Sequence, residues 1–408
     1  MKGGKAMCHW ILITLLCISL IGSQISGLAA NKEWSAEEKL AKQIKPAVVR
    51  IVAGYSAAWT ILINNRYEKY TVVYGGTGSG AIISPDGYVV TNAHVVDLCT
   101  HDNNTKMQNL AKVLAAQIAK NYNVSIEVAW NYVVGSIKNR TASLSDISNI
   151  SKVITPGGEE LPFDLKEIGS SALENGKDVA VVKIEGRNFP TVRLGDSDKI
   201  RTGERIFVAG YPGVADLGSL ASEKSVLEWS WAPGSISSDK KSSAQGNPLI
   251  QINAEGIKPG NSGGPVLNTD GQVIGLLTFG ASGGPHWAMA SRTVQEFIRK
   301  SGASNQESLI DKTYQQGLEF YWQGYYTKAL MKFEEVRRLY PKHSEIDSLI
   351  AECQNNITTG NDKRYWPDYY PNMTATVVFI FLILSATTFA LFKRRKLSGE
   401  KFTNDDNH

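Results

Sequence analysis

The chain has 408 residues, enough for more than one domain with its own core. Its formal net charge of +4 is small for this length, and no long basic block lies in the central body, which argues against nucleic-acid binding. Cys8 and Cys17 lie in an N-terminal apolar segment, which leaves Cys99 and Cys353, too few for a disulfide framework. We expect two free thiols, with a single bridge between them as the alternative.

Both ends of the chain carry membrane signals. Lysines precede an apolar run over residues 10–21, and small residues follow up to Ala30, which is the layout of a secretory signal peptide over residues 1–30. An uncleaved anchor is the alternative. Residues 373–392 are uncharged and long enough to cross a bilayer, and the tail at 393–408 starts with the basic residues typical of the cytoplasmic side. The signals predict a single-pass membrane protein whose body lies outside the cytoplasm.

The N-terminal part of the body changes from a helical to a β-rich pattern. Residues 31–45 predict a short leading helix. Between Pro46 and Val96, the β-rich runs are separated by turn signals, and they cover 47–52, 60–63 and 70–74. Apolar residues then recur at helical spacing over 105–122, and polar, serine-rich sequence continues to about residue 169. We interpret residues 100–165 as a helical insertion on one loop of a β domain.

Strand patterns return in the second half of this domain, which we place at residues 31–303. They lie at 178–184, 205–209, 248–252 and 272–277, and a helix is predicted at 292–300. Many short strands with glycine turns favour a mainly β barrel or sandwich over alternating strands and helices.

From residue 304 to 357 the pattern becomes helical. A first helix runs to a turn near Gly324, Pro341 ends a second, and a third covers about 344–355. The spacing of small residues resembles one tetratricopeptide unit with a capping helix, which would offer a surface to a protein partner. A helical hairpin that acts as a spacer is the alternative. Residues 358–372 are predicted to link this segment to the membrane.

Three polar residues beside the predicted strands have the chemistry of acyl transfer at a peptide bond. Ser262 lies in the glycine-rich stretch 260–265, and His94 and Asp178 precede it in the chain. A serine hydroxyl needs a base to remove its proton, and that base needs a carboxylate to orient it. We predict that Ser262 is the nucleophile, His94 the general base and Asp178 its orienting partner. The backbone N–H groups of Gly260 and Ser262 would form the oxyanion hole.

The segments around these residues resemble the HtrA (Deg) proteases. The matching stretches are 76–83, 91–96, 178–183, 194–204, 253–254 and 259–265. The resemblance covers about residues 40–300 and implies a trypsin-like double β-barrel that cuts proteins without a metal, ATP or another cofactor. Two features depart from the family. The interval between His94 and Asp178 is unusually long, and helices replace the usual PDZ domain, so neither PDZ regulation nor trimer formation is carried over.

The same resemblance implies a primary specificity pocket. Gly256 lies six residues before the serine, where trypsin-like proteases carry the charge at the base of this pocket, and it has no carboxylate to attract lysine or arginine. Thr278, Phe279 and Gly280 are predicted to form one wall. We therefore expect cleavage after small or medium-sized apolar residues.

The serine motif is compatible with a second interpretation. The glycine-x-serine-x-glycine pattern at Ser262 also occurs at the nucleophile of α/β-hydrolases. That fold places its acid and its histidine after the serine, where only His286, His343 and His408 follow, without strand–helix alternation. The pattern therefore favours the trypsin-like arrangement.

The predicted function is a membrane-anchored serine endopeptidase of the cell envelope, acting on proteins in quality control or regulated proteolysis. An alternative from another class is a trypsin-fold scaffold with little turnover that recruits partners through its helices. A third is a protease that rests until a partner arrives. The complete set of His94, Asp178 and Ser262 argues against the scaffold, since a non-catalytic descendant has no reason to keep all three.

Overall fold

The computed structural model of the protein describes residues 33–174, 176–213, 228–280, 285–363, 382–384 and 386–387. The predicted signal peptide and basic tail lie outside these residues, as does most of the predicted spanning segment at 373–392. Within the described part of the chain, no helix has the length and apolar character that crossing a membrane requires.

The first half of the described chain forms one antiparallel sheet. Its strands are β1 (Val48–Ile63), β2 (Arg66–Ile82), β3 (Tyr88–Thr91), β4 (Ala142–Leu144), β5 (Ser148–Ile154), β6 (Glu160–Ile168) and β7 (Ala180–Ile184). They pair in the order β2-β3-β7-β6-β5-β1-β4, and a further pairing of β2 with β1 closes the first six into a barrel.

The second half forms a second sheet, which is antiparallel except at one edge strand. Its strands are β8 (Arg193–Leu194), β9 (Arg205–Gly210), β10 (Ser230–Ser242), β11 (Pro248–Ala254), β12 (Pro265–Leu267), β13 (Gln272–Gly280) and β14 (His286–Ala290). The order is β12-β9-β10-β11-β14-β13-β8, and pairing of β12 with β13 closes six strands. The mainly β prediction is confirmed, and the described strands form two six-stranded barrels, as in the trypsin-like fold.

Helices lie before the first barrel, between its strands β3 and β4, and after the second barrel. They are α1 (Ala36–Ile44), α2 (Ala93–Val96), α3 (Asn103–Tyr122), α4 (Ile126–Lys138), α5 (Ser291–Lys300), α6 (Leu309–Gln323), α7 (Tyr326–Leu339) and α8 (Ile346–Thr358). A capping box of Ser35 and Glu38 starts α1, and Gly324 in the left-handed conformation ends α6. The leading helix, the closing helix and the three C-terminal helices were all predicted. The tetratricopeptide resemblance stays a prediction.

One correction concerns the first hairpin. The runs predicted separately at 47–52 and 60–63 belong to the single strand β1, which pairs with β2 over its whole length, from Val48 opposite Ala81 to Ile63 opposite Arg66. The sequence between the two runs contains alanine, glycine and serine. Such residues have weak β-propensity, so the pattern does not indicate a strand there. The reversal occurs at a two-residue turn in which both asparagines have positive φ.

A second correction concerns the helical insertion predicted at 100–165, which is shorter in the structure. Only α3, α4, the edge strand β4 and their connections lie outside the first barrel, because β5 and β6 pair with β1 and β7 as barrel strands. The prediction failed because β5 buries a single side chain, Val153, so that its sequence appears polar. The helices α3 and α4 pack on the distal half of the hairpin in a core that includes Trp59 and Leu114.

The three C-terminal helices share a hydrophobic core with the first barrel. The ring of Tyr340 packs edge-on against Phe189, which lies in the connection after β7 and belongs to the same core, with ring centroids 5.6 Å apart. Cys353 is buried in this core, and both it and Cys99 are free thiols, as expected. The segment predicted at 304–357 therefore extends the barrel core and does not stand apart from it.

Candidate active site

His94 and Asp178 are brought together by the pairing of two strands. His94 follows β3 and Asp178 precedes β7, and these strands are antiparallel neighbours, with Thr91 opposite Ala180. The Nδ1 atom of His94 lies 2.7 Å from Oδ2 of Asp178, and the backbone N–H of His94 donates to Oδ1 at 3.0 Å. The carboxylate is fully buried. Both its oxygens therefore contact His94, which fixes the orientation of the imidazole.

Ser262 lies on the turn between β11 and β12 and is connected to the same cluster through β13. Its hydroxyl donates to the carbonyl of Thr278 at 3.0 Å, and the hydroxyl of Thr278 donates to Oδ2 of Asp178. Among the hydrogen bonds of the described residues, none joins Ser262 directly to the imidazole of His94. The structure thus places the three predicted residues in one hydrogen-bonded cluster, with the serine hydroxyl directed to Thr278.

The surroundings of His94 favour its protonated form. Burial lowers the pKa of this imidazole, but the hydrogen bond and the negative charge of Asp178 outweigh burial, so that the pKa is raised above its ordinary value of 6.5. A raised pKa makes the neutral imidazole a better proton acceptor. The pair therefore has the electrostatics of a general base with its orienting carboxylate.

The backbone around Ser262 has the geometry that a glycine permits. Gly260 has a φ of +100°, in the left-handed region, and a Cβ at this position would lie 2.6 Å from the carbonyl oxygen of Tyr211. The backbone N–H groups of Gly260 and Ser262 donate to no acceptor among the described residues. An oxyanion hole requires two such unpaired backbone donors.

The predicted pocket residues lie at the ends of two strands of the second barrel. Gly256 is exposed in the turn after β11, with open space where a Cβ would stand. Thr278, Phe279 and Gly280 end β13, and Thr278 is buried. The imidazole of His286 in β14 lies directly against Gly280, which leaves no room for a side chain there.

Sequence reasoning missed three contacts of this region. They are the hydroxyl of Thr278 on Asp178, the ring of His286 on Gly280, and the hydroxyl of Ser79 on Gly260. Only Ser79 carried a signal, because it lies in the glycine-rich run at 76–80 that marked the histidine region. The other two contacts depend on strand pairing between distant parts of the chain.

Comparison with known proteins agrees with this geometry. A family model of the trypsin-like peptidase domain matches residues 78–276. A probable periplasmic serine endoprotease DegP-like of Halomonas elongata is 32% identical over 211 residues, which cover 51% of this chain and 30% of the relative. Its counterpart from Pseudomonas putida is 28% identical over the same length and the same shares. A putative serine protease HhoB of Synechocystis is 32% identical over 209 residues, 50% of this chain and 34% of the relative.

The fold and the site define the class of protein. Two six-stranded barrels, a hydrogen-bonded histidine–aspartate pair and a nearby turn that carries a serine are features of a trypsin-like peptidase domain. Residues 78–276 match that domain. In sequence and architecture this part of the chain is similar to the HtrA/Deg-like serine proteases, as its motifs predicted. It spans about a third of the length of the curated relatives it matches.

Proposed function

We propose that the chain is a serine endopeptidase that hydrolyses peptide bonds of proteins. Ser262 is the nucleophile, His94 the general base and Asp178 the carboxylate that orients the imidazole. One observation carries this proposal: the contact of 2.7 Å between His94 and the buried Asp178, in a cluster that also contains the Ser262 hydroxyl. The curated relatives are named as a serine endoprotease and a serine protease, which supports the proposal.

The proposed reaction begins with a movement of the serine side chain. The Ser262 hydroxyl leaves the carbonyl of Thr278 and turns to the free Nε2 of His94, which takes its proton as the oxygen attacks the substrate carbonyl. The oxyanion then accepts hydrogen bonds from the amides of Gly260 and Ser262. His94 returns the proton to the leaving amine, and water hydrolyses the acyl-enzyme by the same route.

The proposed substrates are polypeptides cut after small or medium-sized apolar residues. Gly256 brings no charge to the predicted base of the primary pocket, and Gly280 brings no side chain to its wall. A panel of peptides that differ only in the residue before the scissile bond tests this specificity. Cleavage after arginine that equals or exceeds cleavage after valine or alanine would contradict it.

We also propose that the protease lies outside the cytoplasm, anchored by the segment at 373–392, and acts in quality control or regulated proteolysis of the cell envelope. The apolar segments at both chain ends support the anchoring, and the DegP-like relatives, which are named as probable periplasmic proteins, support the compartment. The helical segment at 304–357 is proposed to present a tetratricopeptide-like surface to a protein partner.

The central experiment compares the full chain in mild detergent with Ser262→Ala and with Ser304→Ala, which removes an exposed serine hydroxyl elsewhere. Each is assayed on casein and with a serine-directed fluorophosphonate probe. Ser262→Ala should lose labelling and nearly all turnover, since loss of the nucleophile in subtilisin lowers kcat about a million-fold. Ser304→Ala should behave as the unmodified chain.

The two readouts separate the alternatives. Labelling of the unmodified chain without cleavage of casein would indicate a protease that rests until a partner arrives. The hydrogen bond of Ser262 to Thr278 is the feature that such a partner would change. The absence of both labelling and cleavage would overturn the proposed activity in favour of a scaffold.

A further inference from the structure

Ser79 is a buried serine at the junction of the two barrels. It belongs to β2 of the first barrel and has no exposed surface. Its hydroxyl nevertheless contacts the backbone of the second barrel, where it donates to the carbonyl of Gly260 at 2.7 Å and accepts the N–H of Tyr211 at 2.8 Å. The hydroxyl therefore donates one hydrogen bond and accepts one across the junction.

The backbone of Ser79 continues this connection on both sides. Its N–H donates to the carbonyl of Ser262 at 2.8 Å, and its carbonyl accepts the hydroxyl of Thr91 at 2.7 Å. Thr91 ends β3, three residues before His94. One residue thus holds the carbonyls of both Gly260 and Ser262 and also contacts the strand that leads to the proposed base.

Glycines on two sides leave room for the Ser79 hydroxyl. A Cβ at Gly210, the last residue of β9, would lie 2.8 Å from the Ser79 oxygen, so that only glycine leaves room there. Gly260, on the other side, has a φ of +100°, a conformation that the chain must hold by contacts because a free glycine has many others. The hydrogen bond from Ser79 supplies such a contact at the residue whose amide is a proposed oxyanion donor.

We propose that Ser79 is a positioning residue for the nucleophile turn, with its hydroxyl holding Gly260 so that the amides of Gly260 and Ser262 are ready for the oxyanion. The proposal deepens the proposed function and depends on it. Oxyanion donors are effective because they are oriented before the reaction begins. Loss of the Ser79 hydroxyl therefore weakens binding of the transition state and leaves binding of the peptide substrate nearly unchanged.

The experiment compares Ser79→Ala with Ser84→Ala in the full chain. Ser84 is a matched control, because it is also buried, lies in the β2–β3 turn of the same barrel, and uses its hydroxyl to donate to Asp86 at 2.5 Å and to accept from Tyr88 at 3.2 Å. Both variants lose a satisfied buried hydroxyl, but only Ser79 contacts the nucleophile turn.

Ser79→Ala should lower kcat by about tenfold to a hundredfold, less than the roughly 10²–10³-fold effect of removing an oxyanion donor itself. The KM should change by less than about threefold, as expected for an interaction made only in the transition state. Affinity for a peptide boronic acid, whose tetrahedral adduct on Ser262 places an oxygen at the oxyanion position, should fall in parallel with kcat. Ser84→Ala should leave kcat and this affinity within about twofold of the unmodified chain.

Each outcome has one meaning. A kcat and boronate affinity for Ser79→Ala equal to those of Ser84→Ala would overturn the proposal, as would a change confined to KM or to the folded fraction. If Ser79→Ala does not fold, Ser79→Cys, with a similar shape and a weaker donor, carries the same comparison and should show an intermediate kcat. A failure of the unmodified chain to turn over substrate or react with the probe would contradict the proposed function itself, and this proposal with it.

Discussion

The contact between His94 and Asp178 decides how the proposed activity depends on pH. The hydrogen bond and charge of Asp178 raise the pKa of His94 above 6.5 in spite of burial, and only the neutral imidazole can act as the base. We therefore expect kcat/KM for a peptide substrate to fall with decreasing pH, through a pKa that lies above 6.5. The measurement is a pH–rate profile between pH 5 and 9, which reports ionisations of the free enzyme.

The effect of the Asp178 charge on His94 is tested with Asp178→Asn. The control is Asp164→Asn, which changes an exposed carboxylate of the same barrel. Removing the charge beside the imidazole should lower the pKa of His94, read by NMR titration of its ring, and should reduce kcat by about 10⁴-fold, as in the trypsin triad. Asp164→Asn should change neither. An unmoved His94 pKa in Asp178→Asn would show that the pairing has no electrostatic effect.

At the residue scale the sequence was sufficient to propose the reacting groups but did not reveal the residues that hold them in place. His94, Asp178 and Ser262 each lie in a short local motif, so that residue type and neighbours mark them as candidates. The hydroxyl of Thr278 reaches Asp178 across 100 residues of chain, and that of Ser79 reaches Gly260 across 181. Such contacts exist only after the strands have paired, and no local pattern reports them.

The close packing of α6 on α7 makes a prediction about two helical glycines. A Cβ at Gly317 in α6 would come within 2.5 Å of the ring of Phe333, whereas one at Gly135 in α4 would meet nothing within 4 Å. Alanine stabilises an open helix position by about 1 kcal/mol relative to glycine, but overpacking a core costs about 1–3 kcal/mol. We expect Gly135→Ala to raise the free energy of unfolding and Gly317→Ala to lower it.

Urea denaturation of the two variants and the unmodified chain measures both changes under one condition. The pair controls for helix propensity, because both substitutions replace a helical glycine with alanine. A stabilising Gly317→Ala would mean that Phe333 moves aside without loss, and that the small residue there is not required for packing.

The junction between α6 and the first barrel contains a carboxylate that titrates in an unusual range. Asp311 accepts hydrogen bonds from the backbone of Thr191 at 3.0 Å and of Ser308 at 2.9 Å. Burial nevertheless raises its pKa to about 6, from an ordinary value of 3.8. Because the folded chain then binds this proton more tightly than the unfolded chain, the stability from protonated Asp311 is present below about pH 4 and is lost as pH rises through 6.

The loss amounts to up to about 3 kcal/mol, from two pKa units at 1.36 kcal/mol each. Urea denaturation between pH 4 and 7 should therefore show that the free energy of unfolding of the unmodified chain decreases as pH rises. The decrease should be smaller in Asp311→Asn, because asparagine cannot titrate. Asp347→Asn, which changes an exposed residue of α8, should show the same decrease as the unmodified chain. Equal pH dependence in all three proteins would rule out Asp311 as its source.

Among the elements, periodic helices were predicted well and polar strands poorly. The helix α1 carries a capping box and α6 ends at a left-handed glycine, and both signals are local. The strand β5 has only Val153 buried, so its alternation is hidden, and its place in the barrel follows from pairing with β1. The extent of the helical insertion was misjudged for this reason.

At the scale of the whole molecule, two kinds of core hold the site. One core lies between the barrels and includes Val90, Val181 and Phe207, and it fixes the first barrel, which carries His94 and Asp178, against the second, which carries Ser262. The other unites the first barrel with the helices α6, α7 and α8. The sequence indicated these helices, but a helical period does not say which surface a helix covers, so their packing on the barrel could not be predicted.

The contacts of that second core predict that the helices are needed for the protease domain to be stable. Besides the ring contact of Tyr340 with Phe189, the Tyr340 hydroxyl donates to Glu159 at 2.6 Å. Glu345 bridges Lys42 at 3.0 Å and Lys45 at 2.9 Å. A domain is typically stable by only about 5–15 kcal/mol, and each large apolar side chain that is uncovered costs about 1.5–3 kcal/mol.

Truncation after residue 303 should therefore give a chain that aggregates or unfolds at a much lower temperature, because the barrel surface under α6–α8 becomes exposed. Truncation after residue 363 keeps all three helices and serves as the control. Thermal unfolding followed by circular dichroism compares the two, with fluorophosphonate labelling of Ser262 as a second readout of the folded site. Equal midpoints and equal labelling in both fragments would show that the helices contribute nothing to the barrels, and would restore the interpretation of the segment as a spacer.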